Sequence, residues 1–90
     1  MSIPQNAVLY NVYITLQEYS MYKRIRDLRE DNDFTQSHIA KVLNCSQQAY
    51  SNYELGQRDI PTDILIELSK FYNVSVDYIL GITDNPKITK

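Results

Sequence analysis

The spacing of two helix caps limits what this chain can fold into. Thr35 and Ser46 each precede a short run with apolar residues at helical intervals: Ile39, Ala40 and Leu43 after the first, Ala49, Tyr50 and Tyr53 after the second. Ser and Thr are favoured at this position because the side-chain oxygen accepts an N–H group that the first turn leaves without a partner. The interval leaves room for about two turns of helix before the chain must turn. Asn44 tolerates left-handed backbone and can end the first of the two helices. Two short helices joined by so tight a turn must cross steeply. Ala40 is small where that crossing brings the backbones together.

The neighbouring segments complete a helical domain. Tyr22, Ile25 and Leu28 recur at helical spacing, interleaved with Lys23, Arg24, Arg26 and Glu30, which predicts an amphipathic helix ending near Asp31. Asn32 and Asp33 suit its left-handed exit. Pro61 and Thr62 open a further helix, with Ile64, Leu65, Leu68, Phe71 and Tyr72 as its expected inner stripe and Asn73 as its stop. Ser75 caps a last short helix ended by Gly81, and Val74 with Ile79 occupy the two positions of a hydrophobic staple. The expected architecture is therefore all-α, five helices around one central helix-turn-helix. Residues 21–82 form the domain, and 83–90, which lack periodicity, form a flexible tail. Residues 1–20 carry Tyr10, Tyr13 and Tyr19 among aliphatic residues without a clean period. An arm, an extra helix and a leader all fit that pattern.

Composition removes several function classes. Ninety residues allow one domain. The single cysteine, Cys45, has no internal disulfide partner and reads as a reduced thiol in a cytoplasmic protein. One histidine, His38, one cysteine and no Gly-rich phosphate loop leave no constellation for catalysis, no metal set and no implied cofactor. No apolar stretch reaches the length of a membrane span, so no membrane partner is expected. The net charge is −2, and residues 21–60 hold six cations and six anions. Loose charge-driven binding to nucleic acid is thus disfavoured, whereas a local contact surface is not.

The segment after Ser46 carries the chemistry. Placed on a helix at about 100° per residue, Ala49, Tyr50 and Tyr53 fall on one side. Gln47, Gln48, Ser51 and Asn52 fill the opposite arc. That arc has hydrogen-bonding capacity, no charge and little bulk. Asn and Gln can pair bidentately with adenine in the major groove, and Ser can bond several base edges. An N-terminal end carrying Ser46 and Gln47 also offers backbone N–H groups to a phosphate. The bland alternative is a solvated polar face.

The runs "RIRDLRE", "FTQSHIAKVLNCSQQAYSNYELGQRDIP" and "LIELSKFYNVSVDYILG" decide between them. In this order and spacing, over Tyr22 to about Gly81, the chain resembles the lambda-repressor and Cro-like helix-turn-helix family, often called the xenobiotic-response-element type. The resemblance implies that Gln36 contacts a DNA phosphate and braces Gln47. It places Gln47, Gln48, Ser51 and Asn52 at base-reading positions and Arg58 at a phosphate. It implies a partly buried ion pair between Arg29 and Glu54, structural in role. It further implies a homodimer on double-stranded DNA, most simply a repressor on a pseudo-palindromic operator. An antitoxin or other protein-interaction module is the alternative, motivated by the tyrosine-rich first segment and a possible protein partner. Three positions depart from the family pattern. His38 stands where many members carry Glu, and Leu55 where some carry an Asn that reaches a phosphate. Tyr50 is larger than the usual aliphatic residue and is expected in the core.

Overall fold

A computed structural model describes residues 22–88. They form five helices: α1, Lys23–Asp31; α2, Gln36–Val42; α3, Gln47–Glu54; α4, Thr62–Tyr72; and α5, Val76–Ile79. No strand occurs among the described residues. The tyrosine-rich first segment lies outside them.

The starts follow the predicted caps. The hydroxyls of Thr35, Ser46 and Ser75 accept the N–H groups of His38, Ala49 and Tyr78, each at 3.0 Å. The ends share a single solution. Every helix closes where one residue turns left-handed: Asp33, Asn44, Gly56, Asn73 and Gly81, with φ between 56° and 79°. At each end the next residue donates its N–H back to a carbonyl in the last helical turn. The pairs are Phe34 to Arg29, Cys45 to Ala40, Gln57 to Asn52, Val74 to Ser69 and Ile82 to Asp77. This six-residue closure satisfies carbonyls that the helix itself cannot. At the first exit Asp33, not Asn32, takes the left-handed conformation.

Burial then assembles the five elements. The largest fully buried side chains are Ile25, Ile39, Tyr50, Leu68 and Ile79, one from each helix. Burying an aliphatic side chain of this size stabilises by about 1.5–3 kcal/mol, so every helix contributes at least one anchor to the shared core. α2 packs chiefly on α3, α4 on α5, and α1 on both α3 and α5. Ala40 is buried, as close backbone approach at the α2–α3 junction requires. Val74 and Ile79 are both buried, consistent with the staple.

The inner stripe of α4 needs one correction. Leu68 is fully buried and Phe71 is 38% exposed. Phe71 instead sits at the rim, its ring 5.6 Å from that of Phe34 and edge-on to Tyr72 at 4.9 Å. A helix with apolar residues on several faces offers more candidates than the core can take, and the aromatic contacts make the rim position favourable.

The chain beyond Gly81 returns to the helical body. Arg24 on α1 lies over the Tyr78 ring at 4.1 Å and donates to the carbonyls of Tyr78 and Thr83 and to the Asp84 carboxylate. The Ser75 N–H donates to the Pro86 carbonyl at 2.9 Å.

Candidate nucleic-acid interface

Tyr50 and Tyr53, both buried, fix the rotation of α3 against the domain. The other arc is left to solvent. Ser46, Gln47 and Gln48 are exposed, while Ser51 and Asn52 are half-buried. Gln48 and Asn52, one turn apart, are linked by a hydrogen bond from the Gln48 amide to Asn52 Oδ1 at 3.2 Å. The bond orients both amides along the helix. The Asn52 amide donors and the Gln48 carbonyl oxygen remain available, a donor and an acceptor on one face. Arg58 is exposed in the loop that follows Gly56. The structure therefore brings Ser46, Gln47, Gln48, Ser51 and Asn52 onto one helix face with Arg58 beyond its end.

The other expected residues lie behind that face. Arg29 Nε donates to Glu54 Oε2 at 2.6 Å and Arg29 Nη2 to Glu54 Oε1 at 3.1 Å, a two-point contact between α1 and the last turn of α3. The Glu54 side chain is 3% exposed and that of Arg29 14%. Hydrogen bonding to Glu54 holds the Arg29 guanidinium above its ordinary pKa, against the opposing effect of burial. The third guanidinium nitrogen donates to the Phe34 carbonyl at 3.0 Å, so the pair also clamps the α1–α2 connection. Gln36 is part of this network. Its amide donates to Glu54 Oε1 at 3.2 Å. The resemblance implied a brace from Gln36 to Gln47, but in the free domain the amide is held by the carboxylate instead. A buried carboxylate accepts several hydrogen bonds and outcompetes an exposed amide for a nearby donor.

Two side chains near the pair were legible in the sequence only as core. The Tyr50 and Tyr72 hydroxyls are buried close to Glu54. Burial, and then the nearby carboxylate, raises both pKa values, that of Tyr72 to about 12. The Tyr50 hydroxyl feels Glu54 without aligning into hydrogen-bond geometry. In the unfolded chain a tyrosine ionises near 10. The unfolded state therefore loses these protons first as pH rises, and stability falls above pH 10. The contribution is fully present below pH 10 and declines towards the folded-state values. Melting temperature is expected to drop between about pH 10 and 12 while tyrosinate absorbance lags behind that of free tyrosine. A flat melting temperature across that range would contradict the burial of these hydroxyls.

His38 and Cys45 stay outside the site. His38 is exposed, its ring 4.9 Å from that of Phe34. Burial pushes the Cys45 thiol up, away from the thiolate that redox chemistry needs. Among the described residues no cluster of His, Cys, Asp or Glu could hold a metal ion, and no helix is long and apolar enough to cross a membrane.

Five short helices, a left-handed turn between the second and third, and an uncharged polar face on the third define a small helix-turn-helix domain. The chain belongs to the helix-turn-helix family of the Cro-like, xenobiotic-response-element type: the family model, described as helix-turn-helix, matches residues 25–79. It is 45% identical over 62 residues to the HTH-type transcriptional regulator ImmR of Bacillus subtilis, covering 69% of this chain and 49% of that protein. It is 32% identical over 53 residues to the cryptic phage CTXphi transcriptional repressor RstR of Vibrio cholerae, covering 59% of this chain and 48% of RstR. It is also 32% identical over 59 residues to the antitoxin PezA of Streptococcus pneumoniae, covering 66% of this chain and 37% of PezA. The chain spans about half the length of the curated relatives it matches, or less. No solved structure matches it.

Proposed function

We propose that this domain is a sequence-specific, cytoplasmic DNA-binding transcription regulator, most simply a repressor that binds a pseudo-palindromic operator as a homodimer. The observation that carries this reading is the two-sidedness of α3. Tyr50 is fully buried on one side, and Gln47, Gln48, Ser51 and Asn52 face outward on the other without a charge among them. A face meant only for solvent has no need of four directional hydrogen-bonding groups, whereas base edges read by direction do. Ser46 and Gln47 would meet a phosphate at the helix start and Arg58 another beyond its end. Gln36 would contact a phosphate while Glu54 holds its amide. The likeness to a transcriptional regulator and to a phage repressor supports the same reading.

Selection of bound sequences from a random pool of duplexes tests it. The enriched sites are expected to contain two inverted half-sites about 10 bp apart, centre to centre. No enrichment would reject sequence-specific binding, and a single half-site would reject the dimer. The likeness to PezA favours a second reading, an antitoxin-type module that restrains a partner protein. Recovery of a stoichiometric protein partner would support it, alone or alongside DNA binding.

A further inference from the structure

Which cations are free to meet DNA follows from which are already engaged. Of the six over residues 21–60, four act within the domain. Lys23 pairs with Asp27 at 3.0 Å, Arg26 with Glu30 at 2.8 Å, and Arg29 with Glu54. Arg24 covers Tyr78 and holds Thr83 and Asp84. Lys41 and Arg58 are the other two. Both are exposed, and neither side chain has an ion pair or hydrogen bond among the described residues.

Their positions are complementary. Lys41 lies on the last turn of α2, and its carbonyl accepts the Asn44 N–H at 3.1 Å inside the turn that leads to Ser46. It therefore stands beside the end of α3 that carries exposed Ser46, Gln47 and Gln48. Arg58 stands past the opposite end. An eight-residue helix such as α3 is about 12 Å long, close to the roughly 12 Å width of the major groove. Cations just outside both ends can reach phosphates on opposite walls while the amides between them face bases.

We propose that Lys41 is a second cationic phosphate contact, acting with Arg58 across the groove, and that these two side chains carry the counterion release at the α3 face. The proposal rests on the DNA-binding reading above. It differs from a merely structural role for Lys41, in which a cation in the last turn of a helix favours the C-terminal end of its dipole. That role affects folding and leaves the salt dependence of binding unchanged.

The test is the slope of log affinity against log salt concentration, measured on a selected duplex and on an unrelated one. Two cationic phosphate contacts contribute about −1.8 to the slope per bound protomer. Lys41→Gln is expected to make the slope about 0.9 less negative per protomer on both duplexes. A fourfold rise in salt would then cost about 3.5-fold less affinity than in the parent. Arg58→Gln should behave alike, and Arg26→Gln, whose cation is engaged with Glu30, should leave the slope in place. An unchanged slope for Lys41→Gln on a duplex that the parent binds overturns the proposal and spares the DNA-binding reading. An equal loss in Arg26→Gln also overturns it. If the parent binds no duplex at any salt concentration, both fail together.

Discussion

Arg29→Met is expected to destabilise the domain by about 3–5 kcal/mol, the cost of removing one member of a buried ion pair. Against a total of about 5–15 kcal/mol for a domain of this kind, that places the variant near the threshold of folding. The large cost comes from what stays behind. The Glu54 side chain is 3% exposed and would lose both of its hydrogen bonds to the guanidinium while its charge stays buried. The Phe34 carbonyl would lose its guanidinium donor as well. Glu54→Gln should cost less, because Arg29 is 14% exposed and its long side chain can turn towards water. The double variant Arg29→Met, Glu54→Gln should lose less than the two single losses combined, since no charge then remains buried. Urea unfolding of the four proteins gives the comparison. Losses that add in the double variant would show that the two residues are not energetically coupled, and equal losses in the two single variants would contradict the asymmetry argued from their burial.

That network also marks how far the sequence is readable. The starts of α2, α3 and α5 were legible because a cap is a local device: one hydroxyl and the N–H three residues on. The stops were legible for the same reason, as left-handed backbone favours Asp, Asn and Gly over other residues. The pairing of Arg29 with Glu54 came from resemblance, because two charges 25 positions apart carry no local signature. The Phe34 carbonyl was not legible at all, since every residue has one. The engagement of Gln36 by Glu54 was likewise hidden. An amide can bond almost any neighbour, and which one it takes depends on how α2 sits against the end of α3. The rim position of Phe71 had a different cause. Periodicity ranks faces of a helix but does not say how much space the core has left. Net charge was the least informative quantity. Equal counts of cations and anions over residues 21–60 conceal that four of the six cations are engaged within the domain.

Gln48→Ala is expected to weaken binding to a selected operator by about 1–3 kcal/mol and to relax preference at the base it reads, with little loss on unrelated DNA. Gln47→Ala should show the same pattern at a neighbouring position. Discrimination of that size requires an amide held in a defined direction, because a freely rotating one satisfies several bases equally. For Gln48 the direction is supplied by its bond to Asn52 at 3.2 Å. Loss of either partner therefore frees the other, and the effects of Gln48→Ala and Asn52→Ala on operator affinity should not add. The double variant should lose less than the two single losses combined, because the second change removes an amide already released by the first. Both residues lie on the outward arc of α3, away from Tyr50 and Tyr53, so folding stability should change by less than about 0.5 kcal/mol. Equal losses on operator and random duplexes would remove these residues from base reading. Additive losses on the operator would leave them as readers but break the argument that they act as one oriented pair.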